Sequence, residues 1–103
     1  MKRIIDNKVY NTETATKVGS YSNFLGPSDF NFIDETLYIT KKGNWFLEYC
    51  GGARTRYCKP VGNMTGGGEG ILVLSEDEAY DFLEEHHLTE AIQKHFEHRI
   101  EEA

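Results

Sequence analysis

Two runs rich in aromatic and β-branched residues, 35–40 and 45–50, constrain the fold of this chain more than any other feature. Such side chains favour strands because they pack well on a pleated, half-buried surface. The four residues between the runs end in Gly43 and Asn44, which are typical of a turn. The pattern therefore predicts a β-hairpin at the centre of an antiparallel sheet.

Shorter patterns on the N-terminal side predict more of this sheet. The apolar pairs 4–5 and 9–10 flank a polar segment that begins with Asp6 and Asn7, which indicates a tight hairpin. The threonine-rich segment 12–20 favours a third strand, and the alternative is that 12–15 opens one helical turn. The N-terminal part of the chain is therefore expected to be β-structure.

The segment after the central hairpin carries more turn-forming residues. An edge strand is expected over 53–61, since Pro60 cannot donate a hydrogen bond to a central ladder. Four glycines between 66 and 70 predict a glycine-rich loop over 62–70. The apolar run 71–74 then predicts a short strand.

The remainder of the chain has the pattern of two helices. Ser75 and Glu78 match a capping box, in which the side chain of each bonds the backbone N–H of the other. Thr89 is expected to be the N-cap of the second helix. Apolar side chains recur at helical spacing on one face of both segments, at Ala79, Phe82, Leu83, Leu88, Ala91, Ile92, Phe96 and Ile100.

These elements together predict one α+β domain over 1–103, with an antiparallel β-sheet of hairpins packed by two C-terminal α-helices. Residues 1–74 are mainly β, and 75–103 form a helical acidic tail. In the core, Phe82, Leu83, Ile92 and Phe96 are expected to pack against Leu37, Ile39, Phe46 and Leu47.

The charge is spread unevenly along the chain. Residues 1–75 carry a net charge of +2 and residues 76–103 carry −8. A charged outer helix face is usually a solubilising surface. The alternative is that the acidic residues imitate a row of phosphates and bind the basic channel of a nucleic-acid-handling protein. The candidate residues are Glu76, Asp77, Asp81, Glu84 and Glu85.

A basic segment gives a second candidate surface. Arg54, Arg56 and Lys59 surround Tyr57, so their cations suit phosphates while the tyrosine ring suits a nucleobase. The alternative is a solvated sheet face or an internal partner for acidic residues. An RNA-binding protein is one function that this segment predicts.

Other function classes are not indicated. The chain has no apolar segment of the length that a secretory signal or a membrane span needs, so a cytoplasmic location is expected. Cys50 and Cys58 lack the spacing of a metal motif, and the four histidines match no zinc motif, so no metal or cofactor is expected. No nucleophile beside a base and no defined carboxylate pair is apparent, so no catalytic residue is assigned.

Several segments resemble a group of small proteins carried on phages, plasmids and conjugative elements of Firmicutes. The family includes inhibitors of type II-A CRISPR systems. The matching segments are Ile4-Ile5-x-Asn7-Lys8-x-Tyr10-x-Thr12-Glu13-Thr14-Ala15, Ser28-Asp29-Phe30, Glu35-x-Leu37-Tyr38-x-Thr40-Lys41-Lys42-Gly43-Asn44, Gly51-Gly52-Ala53 and Gly67-Gly68-Glu69-x-Ile71-x-x-Leu74-Ser75.

The resemblance implies an anti-CRISPR protein that acts in the cytoplasm of a bacterial host. It would inhibit a type II RNA-guided effector nuclease by direct binding, blocking guide-RNA assembly or target-DNA access. The tail departs from the family pattern at His86-His87 and at His95 and His98, so the partner surface can differ. The alternatives are an RNA-binding or guide-RNA-cleaving protein, and an accessory protein of a mobile element with an unrelated protein partner.

Overall fold

Antiparallel strands form the chain up to Leu74, and helices follow. The computed structural model describes residues 1–26, 28–62 and 64–103. The strands are β1 (Lys2–Ile5), β2 (Lys8–Asn11), β3 (Thr16–Ser22), β4 (Ile33–Ile39), β5 (Trp45–Gly51), β6 (Lys59–Val61), β7 (Met64–Gly66) and β8 (Gly68–Leu74); the helices are α1 (Glu76–Glu85), α2 (Thr89–His95) and a 3₁₀ turn (Glu97–Arg99). The predicted α+β class, with an antiparallel sheet and two C-terminal helices, is confirmed.

The main sheet has four strands in the order β3-β4-β5-β8, all antiparallel. Its centre is the β4–β5 hairpin that the aromatic runs predict. Gly43 has a φ of 87° in the turn, a left-handed conformation that glycine adopts without steric cost. The strongest strand pattern in the sequence therefore occupies the two central positions of the sheet.

The N-terminal hairpin is also present, as a separate two-stranded ribbon of β1 and β2. Asp6 and Asn7 form its two-residue turn with φ values of 51° and 65°. A two-residue turn with both φ angles positive is the type that matches the twist of paired strands, and Asn and Asp tolerate it. Local turn chemistry thus explains this hairpin.

The two faces of the main sheet bury different side chains. Leu37, Trp45 and Leu47 lie on the face that the helices cover. Phe46 lies on the other face, where its ring stacks on Tyr38 and meets Tyr10 of the N-terminal ribbon edge-on. The prediction that Phe46 packs against the helices is therefore wrong, because successive side chains of a strand point to opposite faces. Trp45 occupies that place instead.

Helix α1 begins with the predicted capping box. The Glu78 backbone N–H donates to Ser75 Oγ at 3.1 Å, and the Ser75 N–H donates to Glu78 Oε1 at 2.9 Å. The helix buries Ala79, Phe82 and Leu83 against the sheet. The capping box fixes where α1 begins, and the apolar stripe fixes which side of the helix faces the sheet.

Helix α2 has a weaker start than predicted. Leu88, not Thr89, is its N-cap residue, and no side chain caps it. Packing compensates, because Phe96, just after the helix, is fully buried and stacks on Trp45 with ring centroids 5.2 Å apart. None of the helices in the described part of the chain has the length and apolar character that a membrane crossing requires.

The glycine-rich segment 62–70 is predicted to be a loop, but the structure has strands there. It contributes β7, which pairs with β6 in a small ribbon, and the first residues of β8. A Cβ atom on Gly67 would lie 2.7 Å from the Gly51 carbonyl oxygen, so the glycine allows close backbone approach. The expected edge strand over 53–61 is reduced to β6, with Pro60 at its centre.

Replacing Phe96 by alanine tests the helix-to-sheet core. Phe96→Ala is expected to lower the free energy of unfolding by about 3–5 kcal/mol, because it leaves a cavity against Trp45. The matched control is Phe24→Ala, since the Phe24 side chain is 93% exposed and its loss should change stability by less than about 0.5 kcal/mol. Chemical denaturation measures both. Equal losses in the two variants would contradict this description of the core.

Candidate functional site

The acidic outer surface of α1 is the first candidate. Asp81, Glu84 and Glu85 are exposed and lie opposite the buried side chains of Phe82 and Leu83. We call these three residues the acidic face. They form no salt bridge within the part of the chain that the structure describes. The acidic face is therefore open to solvent and has no cation partner among the described residues.

The other two predicted acidic residues are in a different environment. Arg99 Nη2 lies 2.5 Å from Asp77 Oδ1 and 4.0 Å from Glu76 Oε2. The hydrogen bond to Asp77 raises the pKa of Arg99. The Arg99 guanidinium also lies over the rings of Tyr80 and Phe96. The 3₁₀ turn is thereby tied to the start of α1, and the negative charge there is partly neutralised.

The residues of the basic segment differ in their contacts. Arg56 and Tyr57 both turn towards Glu35 on β4, whose side chain is 1% exposed. Arg56 Nη2 donates to Glu35 Oε2 at 2.5 Å, and the Tyr57 hydroxyl donates to the same oxygen. Glu35 Oε1 is buried without a hydrogen-bond partner among the described residues. A carboxylate in such a position needs nearby donors to remain in the fold.

The contacts with Glu35 change the chemistry of both donors. Burial, followed by the hydrogen bond to Glu35, raises the pKa of Tyr57 to about 12. Burial opposes the charge of Arg56, but its hydrogen bonds to Tyr57 and Glu35 raise its pKa above the ordinary value. The Tyr57 ring also stacks on Tyr49, with centroids 4.2 Å apart. Arg56 and Tyr57 are therefore structural residues that close the 53–58 turn over the sheet.

Arg54 and Lys59 remain at the surface. The Arg54 guanidinium lies 5.7 Å from the centre of the Phe30 ring, which is 60% exposed. Lys59 Nζ lies 3.4 Å from the Glu69 carbonyl oxygen. Phe30 and Lys59 line a groove of about 510 Å³ whose walls include Gly52 and 66–68. The four predicted basic-segment residues thus divide into a pair that donates to Glu35, Arg56 and Tyr57, and a pair that does not, Arg54 and Lys59.

Sequence reasoning missed Glu35 and Phe30. Glu35 lies on the same face of β4 as Ile33 and Leu37, so a charged residue at an inward strand position was the available signal. Phe30 carries no such signal, because an aromatic residue in a loop segment is equally consistent with burial.

The histidines and cysteines have ordinary surroundings. His86, the C-cap residue of α1, stacks on Tyr21, and His95 meets Trp45 edge-on. Burial lowers the pKa of His95 and raises that of the Cys50 thiol. Cys50 and Cys58 are free thiols. Across residues 1–26, 28–62 and 64–103, no three His, Cys, Asp or Glu side chains are grouped closely enough to hold a metal ion.

The two stacked tyrosines provide a test of the Glu35 cluster. Tyr57→Phe is expected to lower the free energy of unfolding by about 1–2 kcal/mol, because it removes a donor to a buried carboxylate. Tyr49→Phe is the matched control and should change stability by less than about 0.5 kcal/mol, since its hydroxyl makes no hydrogen bond in the described residues. Urea denaturation compares them, and equal effects would argue against the assigned role of Tyr57.

Comparison with known proteins adds no relative. No protein-family model, no curated protein and no solved structure matches the chain.

Proposed function

We propose that this chain is an anti-CRISPR protein that binds a type II RNA-guided effector nuclease and blocks guide-RNA assembly or target-DNA access. The observation that carries the proposal is the acidic face of α1, whose Asp81, Glu84 and Glu85 carboxylates are exposed at fixed spacing. The protein acts in the cytoplasm of the bacterial host, where the effector is found.

The spacing of the acidic face suits imitation of a nucleic acid. At a rise of 1.5 Å per residue, Asp81 and Glu85 lie about 6 Å apart along the helix axis, with Glu84 between them. Three successive phosphates of one DNA strand span about 7 Å of the duplex axis, at 3.4 Å per phosphate. The acidic face therefore has nearly the linear charge density of one nucleic-acid strand.

The scaffold beneath the acidic face is rigid. Ala79 and Leu83 are fully buried, and the capping box fixes the first turn of α1. Binding consequently orders little beyond the tips of the side chains, which keeps the entropic cost of association low.

The chemistry of the expected partner is complementary. Effectors of this class hold the guide–target duplex in a positively charged channel and recognise its backbone. An acidic helix of comparable charge density competes for the same cations, and salt weakens this attraction by screening. The 76–103 segment, with a net charge of −8, is attracted to such a channel.

Reversing the charge of the acidic face tests the proposal. The triple variant Asp81→Lys, Glu84→Lys, Glu85→Lys is expected to weaken inhibition of DNA cleavage by roughly tenfold to a hundredfold, because complementary charges become repulsive. The assay is cleavage of target DNA by the purified effector, with the protein added before or after guide RNA. Inhibition only on early addition would assign the block to guide loading.

The matched control reverses three other exposed carboxylates of the tail: Glu97→Lys, Glu101→Lys, Glu102→Lys. This variant has the same net charge as the first and should retain most of the inhibition. Failure of the wild-type protein to inhibit at a large molar excess would overturn the proposed function. Full inhibition by the α1 variant would show that the effector contacts a surface other than the acidic face.

Arg54 and Phe30 favour a second candidate function, binding of single-stranded RNA. An exposed aromatic ring beside a guanidinium matches the stacking and phosphate contacts that such proteins use. Arg56 and Tyr57 both donate to Glu35, and the Arg56 side chain is still 60% exposed. Lys59, in the same groove as Phe30, supplies a second cation.

Gel-shift titration with guide RNA alone distinguishes this candidate from the first. RNA binding without any effector protein would support the second candidate. Phe30→Ala should weaken that binding by roughly tenfold, since loss of one stacked base costs about 1–3 kcal/mol. Phe24→Ala is the control, because Phe24 is the more exposed ring and has no cation–π contact with Arg54 in the described residues. Absence of any shift at low salt would exclude RNA as the direct ligand.

A further inference from the structure

The chain exposes more surface than a compact monomer of its size. Its accessible surface is 7181 Å², whereas a monomer of this mass exposes about 5,900 Å². The Cα radius of gyration is 15.0 Å, against about 13 Å for a compact chain of this length. The principal extents of 49 × 36 × 20 Å show that this excess arises from an extended shape, in which the β1–β2 and β6–β7 ribbons are separate from the main sheet. The excess alone does not locate an interface.

The two edges of the main sheet differ in how well they are protected. On β3 the pairing with β4 shifts register between Lys17 and Gly19, and Lys17 is exposed. Bulges and lysines are the devices that keep sheet edges from pairing with other chains. The β8 edge has neither, since its seven residues pair with β5 without a register shift and contain no lysine or proline.

The accessible part of β8 is its C-terminal half. Gly68 is buried beside Tyr57 and Lys59, and the Glu69 carbonyl is in contact with Lys59 Nζ. Beyond these residues, Leu72 is 48% exposed and Val73 is 39% exposed. Every second residue of an edge strand turns its N–H and C=O away from its neighbour. No loop backbone of the described chain pairs with those groups over 70–74.

We propose that this edge pairs with β8 of a second copy of the chain, joining two four-stranded sheets into one of eight strands. The two copies are related by a twofold axis and use the same surface, as in most homodimers. Pairing over the accessible residues 70–74 centres the axis on Leu72. The two Leu72 side chains then lie opposite each other, and Ile71 lies opposite Val73.

The charges of β8 fit self-pairing. With the axis at Leu72, Glu69 lies opposite Ser75 of the second copy, so no like charges face each other across the ladder. The two Ser75 residues, each directly before Glu76, are then about 20 Å apart along the strands, at 3.4 Å per residue. This separation exceeds the screening length of about 8 Å at physiological salt. Arg99 also offsets the charge at that end of the strand.

The inference goes beyond the proposed function and does not depend on it. The interface consists of one strand ladder and a few apolar side chains, so we expect a dimer whose population rises with concentration. A strand from an unrelated protein is the other possible occupant. It is treated as an outcome of the test, because nothing on this edge favours a foreign sequence over the self-complementary one.

Sedimentation velocity over a hundredfold range of concentration tests the dimer. The wild-type protein should shift from monomer to dimer, and Leu72→Lys should remain monomeric because it places two ammonium groups opposite each other. The control Val9→Lys changes a 55% exposed strand residue of the N-terminal ribbon and should dimerise as wild type does. If the wild-type protein is a monomer at every concentration, the proposal is wrong, and a strand of another protein remains as the candidate occupant of the β8 edge. A dimer that survives Leu72→Lys also overturns it.

Cross-linking gives a second measurement that does not depend on the stability of the lysine variant. In a chain with Cys50→Ser and Cys58→Ser, Leu72→Cys places two thiols on directly opposite residues, where Cβ atoms are about 5 Å apart. Mild oxidation should give a disulfide-linked dimer. Val9→Cys in the same background should stay monomeric. Equal cross-linking of both variants, or of neither, contradicts the proposed pairing.

Discussion

The packing of α1 against the central hairpin is the contact on which the rest of the structure depends. Leu37 and Leu47 from β4 and β5 meet Ala79 and Leu83 from the helix in a core that excludes water. Burial of these apolar side chains is the main favourable term for such a small domain. Because it fixes which side of α1 faces the sheet, it also fixes which carboxylates face solvent.

Charged residues of the chain divide between internal and external roles. Glu35 is buried, and Arg56 and Tyr57 donate to it across the sheet face. Arg99 likewise holds Asp77 and connects the last turn to the first turn of α1. In these contacts the guanidinium groups bind internal carboxylates and are less available to an external ligand. The negative charge of the acidic face has no such partner in the described chain, which makes it the stronger candidate surface.

Local signals in the sequence were sufficient for several elements and insufficient for others. The Asp6-Asn7 turn and the Ser75–Glu78 capping box are determined within four residues, so the sequence predicts them correctly. The face of the sheet on which Phe46 lies could not be predicted. The alternation of side chains along a strand does not show which of the two sets faces the helices. The contact of Glu35 with Arg56 joins residues 21 positions apart in the sequence, and no local pattern encodes it.

Competition between this protein and nucleic acid for the effector tests the central claim most directly. A labelled guide RNA bound to the purified effector reports displacement through its fluorescence anisotropy. If the acidic face of α1 occupies the nucleic-acid channel, the protein displaces the guide RNA or prevents labelled target DNA from binding to the guide-loaded effector, and raising the salt concentration weakens both complexes. A stable complex in which the effector holds this protein together with fully bound guide RNA and target DNA would contradict the account.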